Sequence, residues 1–292
     1  MSEAYMLASE AIKRAPKLFG IKTGVPGLDD LFWIVDIDER TGKLVKRVLG
    51  GYPFGAVMNI TGLPDTGKSL MAEQFAVTQA ASGWPTVFVT VESPAEYVAR
   101  GLELRARALG FDWDEVSDMI AIIDVSRNEH LRENTKELVR RIGEAIKSFK
   151  PKPAKSVVID SITGLYEHME VMARKIVRIL FNAMKEYRVT ALFISQKRSA
   201  HDIESAEAAG GLAIAHIVDG TIVLTKKVVT LKWESELYKI PLGGILRTIR
   251  IDGCRLSGHD QDTHVMRITE HGLVKVGPKL SEYIQKGWPE QE

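Results

Sequence analysis

The sequence predicts an α/β fold, a mainly parallel sheet flanked by helices with an antiparallel extension of the sheet at its C-terminal side. Three observations carry this. Short apolar runs alternate with longer amphipathic ones from Ala56 onward, which is the pattern of strands joined by crossover helices. Runs such as Val157-Val158-Ile159 are apolar on both faces, as a parallel sheet covered on both sides requires. The last third changes character, with strand-like runs at 221–229, 244–251 and 264–268 and no helical pattern between them.

Taken in order, 56–60 reads as a strand and 69–81 as a helix. The run 86–91 is the next strand, and 94–109 is helical, opening on Pro94, a residue suited to a first turn. A strand at 120–125 follows. Leu131, Leu138, Ile142 and Ile146 then recur at helical spacing, so one helix is expected over 131–149, broken by Lys150-Pro151-Lys152-Pro153. After the strand 157–159 a long helix is expected near 166–187, then a strand at 190–195. Two segments read as inserted hairpins. One is 34–48, centred on Arg40-Thr41-Gly42-Lys43, and the other is 230–244, which carries Trp233, Tyr238 and Pro241 before Gly243-Gly244. The expected organisation is a helical segment over 1–20, one domain over 21–280 and a tail over 281–292.

Composition bounds the function. The 292 residues carry 39 Lys and Arg against 38 Asp and Glu, a net charge of +1, with 45% hydrophobic and 26% charged residues. These values exclude a disordered chain and a uniformly basic nucleic-acid binder. The lone Cys254 cannot form an intramolecular disulfide, and no membrane-length apolar stretch or secretory leader is evident. A cytoplasmic protein with no membrane partner is the expectation.

The chemistry concentrates at Gly62-Leu63-Pro64-Asp65-Thr66-Gly67-Lys68-Ser69. This is the Walker A pattern, and it follows a predicted strand and opens a predicted helix, as a phosphate loop must. A helix N-terminus presents unpaired N–H groups and the positive dipole end to a phosphate. Gly62 and Gly67 permit close backbone approach. Lys68 is placed to reach the β- and γ-phosphates and Ser69 to ligate Mg²⁺. The candidate nucleotide-binding residues are Gly62, Leu63, Pro64, Asp65, Thr66, Gly67, Lys68, Ser69 and Leu70. Asp160 ends the apolar run 157–159 and is the natural Mg²⁺ acid of a Walker B motif, or else the N-cap of the next helix. Glu92, just beyond the strand 86–91, is the candidate to activate water; it also suits a first-turn acid for the helix opening at Pro94. Gln196, at the end of another strand, is a candidate γ-phosphate sensor or an ordinary loop amide.

With these residues in place, the chain resembles the KaiC/RecA/RadA family of ATPases, and the single-domain archaeal KaiC-like proteins in particular. The likeness runs from Thr23-Gly24-Val25-Pro26-Gly27-Leu28-Asp29 through Gly50-Gly51-Tyr52-Pro53-Phe54-Gly55 and the Walker A loop. It continues through Glu92-Ser93-Pro94, Asp160-Ser161-Ile162-Thr163, Gly210-Gly211, Asp219-Gly220 and Arg255-Leu256-Ser257-Gly258-His259, and closes at Ile268-Thr269-Glu270-His271-Gly272-Leu273. The resemblance implies a RecA-like P-loop NTPase core that binds ATP with Mg²⁺ and hydrolyses it, in a homo-oligomer whose nucleotide sites lie between subunits. Lys68, Glu92 and Gln196 then take catalytic roles. Arg255 falls on the position of an arginine that reaches a neighbouring subunit's phosphates, or is a surface arginine on an edge strand. Three residues depart from the family pattern. Asp65 replaces a loop glycine, Val91 the first of two glutamates, and Gly253 a trans lysine. Each lowers the expected hydrolysis more than binding. A non-hydrolysing regulator that switches partners with ATP is the alternative to an ATPase.

DNA, single- or double-stranded, is the remaining partner class. The resemblance to RadA places its contacts after Gln196, at Lys197, Arg198 and His201. From Arg174 to Arg198 seven cations face one acid, a local charge of +6. Such a stretch can follow a phosphate backbone, or it can be a solvated helix face balanced by acids in space. Trp233 and Tyr238 are candidate stacking residues.

Overall fold

The structure, a computed structural model, describes residues 5–167, 170–197 and 214–288. In chain order the first elements are α1 (Ala8–Arg14), β1 (Gly20–Ile21), β2 (Phe32–Ile37), β3 (Leu44–Val48), β4 (Tyr52–Pro53), β5 (Val57–Gly62), α2 (Lys68–Ala81), β6 (Thr86–Thr90), α3 (Ala95–Ala108), α4 (Trp113–Ser117) and β7 (Ile120–Asp124). There follow α5 (Glu129–Glu133), α6 (Thr135–Ser148), β8 (Ser156–Asp160), α7 (Ala173–Tyr187), β9 (Thr190–Gln196), β10 (Gly220–Val228), α8 (Lys232–Tyr238), β11 (Ile245–Cys254), β12 (Gly258–His259), β13 (His264–Ile268), β14 (Val274–Lys279) and α9 (Leu280–Lys286).

The principal sheet runs β14-β13-β11-β10-β5-β9-β8-β6-β7. Strands β10, β5, β9, β8, β6 and β7 are mutually parallel. From β10 outward, β11, β13 and β14 pair antiparallel. This is the α/β architecture that the sequence pattern predicts, a RecA-like core with an antiparallel C-terminal side. The alternation along each central strand feeds two cores. Val57, Val87, Val157, Ile159 and Phe193 pack on one face with α6 and α7. Met58, Ile60, Phe88, Val158 and Leu192 pack on the other with α2 and α3.

Asp219 fastens the edge of the sheet from which β5 and β10 start. Its carboxylate accepts from the N–H of Val57 at 2.7 Å and pairs with Lys185 of α7, while Lys185 also donates to the Gly55 carbonyl at 2.7 Å. One ion pair thereby ties α7, β5 and the entry to β10 together. On the opposite face, Arg105 of α3 donates to the carbonyls of Gly272 and His271, in the turn between β13 and β14. Its Nε lies 3.6 Å from Glu73 of α2. Burial pushes the Glu73 carboxyl up to about 7. Arg105→Ala strands both carbonyls and Glu73, so it is expected to cost about 2–3 kcal/mol. Urea unfolding measures this directly.

Three expected elements differ. Residues 230–244 do not form a hairpin. They hold α8, and just before it the N–H groups of Thr230 and of the N-cap residue Leu231 donate to the buried Glu234 carboxylate at 3.2 and 3.4 Å. The helix expected over 131–149 is two, because the Asn134 side chain accepts from the N–H of Glu137 and caps a fresh helix, α6, immediately after α5. The long helix expected near 166–187 begins only at Ala173, because 3₁₀ turns at Ile162–Leu165 and Glu170–Met172 occupy the stretch after β8. Strand β14 and helix α9 lie beyond the runs singled out by pattern. Helix α9 packs Tyr283 against Leu246 and Val265 of the sheet, so residues 280–286 are an ordered helix rather than part of a tail.

Candidate nucleotide-binding site

Adjacent parallel strands deliver the predicted residues to one edge. Gly62, the last residue of β5, is registered with Gln196, the last of β9. Asp160 of β8 is registered with Ile194 of β9 and with Thr90 of β6, two residues before Glu92. This is the carboxyl edge of the strands, where open α/β sheets bind ligands.

The loop between β5 and α2 is shaped by its glycines. Gly67 has φ +100°, and the space a Cβ would take there faces Val274, Ile268 and Met266. A Cβ on Gly62 would meet the Leu224 carbonyl oxygen at 2.6 Å. The Thr66 hydroxyl donates to the Leu63 carbonyl at 2.9 Å and closes the loop. No side chain caps the N-terminus of α2, and its first turn carries no acid, so its amides face the loop as an anion cradle. Lys68 is 7% exposed and its ammonium donates to the Leu63 carbonyl at 2.7 Å. Burial pulls that ammonium down to about 8, against the opposing pull of Asp160, Glu92 and Asp65. A cation held inside a ring of free amides suits a polyphosphate.

Asp65 also has positive φ, +59°, a region that Asp tolerates better than most side chains. Its side chain is 87% exposed and pairs with Lys226 of β10 at 3.5 Å. The carboxylate therefore points away from the cradle, and this departure from the family pattern leaves the phosphate loop intact. Sequence reading did not find Lys226, 161 residues away in the chain.

Ser69 donates its hydroxyl hydrogen bond to Asp160, whose carboxyl burial pushes up to about 6. A serine hydroxyl beside a carboxylate is a hard-oxygen donor set of the kind Mg²⁺ takes. Glu92 sits beside it. The Gln196 side-chain amide donates to Glu92 Oε1 at 2.9 Å and Oε2 at 3.1 Å, and the Ser161 hydroxyl donates to the same carboxylate. The N–H of Gln196 in turn donates to the Thr163 hydroxyl at 2.9 Å. Glu92 is thus an oriented carboxylate held by two neighbouring strands. Val91 is buried and its side chain contacts the Gly164 position, so it supplies packing where the family pattern has a second acid.

A family comparison decides what this edge belongs to. The KaiC ATPase family matches residues 21–281. The chain belongs to that family. A UPF0273 protein of Thermotoga maritima is 27% identical over 267 residues, covering 87% of this chain and 94% of that protein. One from Pyrococcus furiosus is 27% identical over 277 residues, covering 89% and 95%. A crystal structure of a KaiC-like protein from Pyrococcus horikoshii superposes with a TM-score of 0.65 at 25% identity, over 90% of this chain and all of that one. Membership gives the fold a nucleotide-binding, ATPase-type function.

The remaining candidates lie apart from this KaiC-family site. Arg255 follows β11 at Cys254, which pairs with Gly220 at the start of β10, so it sits at the sheet edge opposite the phosphate loop. It is exposed, and its guanidinium donates to the His216 carbonyl at 2.8 Å. It does not share a site with Lys68 of its own chain. Gly253 beside it has open space where a Cβ would stand. Of the candidate DNA contacts, Lys197 is only 6% exposed, which removes it from a solvent-facing surface, and Arg198 and His201 lie outside the described residues. The described cations of the +6 stretch differ in what they meet. Arg174, Lys175 and Arg178 are exposed on α7, whereas Lys185 is tied to Asp219. Trp233 and Tyr238 both lie on α8, each near the Lys227 ammonium. Among the described residues no helix is long and apolar enough to cross a membrane.

Proposed function

We propose that the chain is a Mg²⁺-dependent ATPase that hydrolyses the β–γ phosphoanhydride bond, with its site completed by a second copy of the chain. The observation that carries this is the oriented Glu92 carboxylate, clamped by Gln196 and Ser161 next to Lys68 and the Ser69–Asp160 pair. A protein that only bound nucleotide would have no use for a second acid fixed beside the cradle.

The loop amides and Lys68 bind the polyphosphate, and Ser69 and Asp160 would hold the metal. Bound Mg²⁺ neutralises charge on the phosphate oxygens. Glu92 orients a water and accepts its proton as the water attacks the γ-phosphorus. Gln196, bridging Glu92 to the strand beside the loop, fixes the carboxylate's direction and senses the γ-phosphate. Burial of Lys68 strengthens its charge–charge contact with phosphate by excluding water.

Arg255 acts in trans, because its sheet edge faces away from its own loop. The test mixes two variants. Lys68→Ala and Arg255→Ala are each expected to be inactive in phosphate release, and an equal mixture is expected to recover about a quarter of wild-type turnover, since only sites pairing an intact lysine with an intact neighbouring arginine function. No recovery in subunit-exchanged mixtures would remove the trans role. Full activity of Arg255→Ala alone would do the same.

A pH dependence follows from the two buried groups. Polyphosphate favours the protonated ammonium, so affinity falls as pH rises through about 8 and Lys68 loses its proton. Metal favours the ionised carboxylate, so affinity also falls as pH drops through about 6 and Asp160 is protonated. Mg²⁺-ATP affinity, followed by calorimetry across this range, is expected to be highest between the two.

A further inference from the structure

Strands β2 and β3 form a hairpin outside the principal sheet, in a three-stranded sheet of order β12-β2-β3. Its register sets Trp33 opposite Val48, Val35 opposite Lys46 and Ile37 opposite Leu44, so these six side chains share one face. The other face carries Phe32, Ile34 and Asp36 of β2 with Val45 and Arg47 of β3. Phe32 is fully buried in the α2 core, and Asp36 pairs with Arg47 at 3.1 Å. A hairpin fixed to a body through one face is expected to turn polar side chains outward on the other. Here the outward face is the apolar one. Val35, Ile37, Leu44 and Val48 are 48–74% exposed. The single charged residue on this face, Lys46, holds its ammonium 3.2 Å from the centre of the Trp33 ring. The four aliphatic residues present roughly 400 Å², a patch of the size that marks a contact surface.

The patch runs into the edge that carries Arg255. Strand β12 starts three residues after Arg255 and pairs with the base of β2, Gly258 with Trp33 and His259 with Phe32. The Trp33 indole lies over Gly258, where a Cβ would meet its Nε1 at 2.4 Å. An arginine that reaches another copy's phosphates brings its own surroundings against that copy. A stable contact takes about 800 Å² from each partner, so the hairpin supplies roughly half and the adjoining Arg255 edge the rest.

We propose that the β2–β3 hairpin is an arm by which one copy of the chain holds the next, with its Val35, Ile37, Leu44 and Val48 face lying on the second copy. The choice of a second copy as partner rests on the trans role of Arg255.

The test reads mass rather than turnover. Sedimentation velocity of the full chain across the micromolar range, with Mg²⁺-ATP, compares wild type with Val35→Glu/Leu44→Lys and with Val45→Lys, each verified as folded by its thermal transition. The double variant sets a glutamate opposite Lys46 and leaves the net charge unchanged. Val45→Lys puts a charge on the same strand but on the other face, opposite Asp36. Wild type is expected to sediment as an assembly larger than one chain. The double variant is expected to associate about 100-fold or more weakly and to run as single chains where wild type is assembled. Val45→Lys is expected to assemble as wild type does. If the double variant does not fold, Leu44→Ser, at the most exposed of the four positions, takes its place with an expected loss of about tenfold. Unchanged assembly of the folded hairpin variant, equal dissociation by Val45→Lys, or a wild type that stays single-chain throughout, with or without binding to phosphatidylglycerol vesicles, would each overturn the proposal. The arm and the trans arginine fail separately. Recovery of turnover in the Lys68→Ala and Arg255→Ala mixture, with assembly untouched by the hairpin variant, removes the arm and keeps the arginine. Loss of assembly in the hairpin variant, with no recovery in that mixture, keeps the arm and removes the arginine.

Discussion

Lys68→Ala is expected to lower ATP affinity by about 100-fold or more, the loss of charge-assisted hydrogen bonds to two phosphates worth about 3 kcal/mol together. The effect is large because the ammonium is already in place. It is buried, it donates to the Leu63 carbonyl within the loop, and the Asp160 and Glu92 carboxylates favour its charge. Phosphate oxygens have only to replace one carbonyl contact. The protein should remain folded, since the Lys68 ammonium bonds only within its own loop and the α2 core rests on Met71, Ala72 and Phe75. Calorimetric titration with ATP gives the affinity, and a thermal scan gives the fold. Unchanged affinity in a folded variant would remove the loop from nucleotide binding.

Glu92→Gln is expected to reduce the rate of phosphate release by about 10²- to 10⁴-fold, the span attributed to a positioned general base. ATP affinity should be preserved within about threefold, because Glu92 does not belong to the cradle. Glutamine keeps the length of the side chain and can still bond Ser161 and Gln196, so loss of turnover reports the missing proton acceptor rather than a displaced strand. Gln196→Ala removes the amide that aligns the carboxylate and should show a smaller loss in the same direction. Equal turnover in wild type and Glu92→Gln would assign the water-activating role elsewhere.

The strand, loop and helix from Val57 to Ala81 are legible in the sequence because every local signal agrees: an apolar run, glycines at the turn, and a run of helix-forming residues after Lys68. Asp160 is legible for the same reason, as the acid that ends an apolar run. The clamp on Glu92 is not, since Gln196 lies 104 residues on in the chain and only the strand order β9-β8-β6 brings them together. The Asp65–Lys226 pair is hidden likewise. Helix α8 is not legible, because Trp233, Tyr238 and Gly243-Gly244 have hairpin composition, while the helix is held by Glu234 buried against Lys227. Counting charge along the chain does not show pairing: within the run of seven cations Lys185 is tied to Asp219, whereas Arg174, Lys175 and Arg178 are exposed on α7.

The most direct test is phosphate release from ATP by the wild-type protein with Mg²⁺ near neutral pH, set beside Lys68→Ala and Glu92→Gln. The proposed function predicts turnover in the wild type, ATP binding weakened by about 100-fold or more in Lys68→Ala, and binding without turnover in Glu92→Gln. Tight ATP binding by the wild type with release no faster than in Glu92→Gln would contradict the hydrolytic assignment and leave a nucleotide-switched regulator.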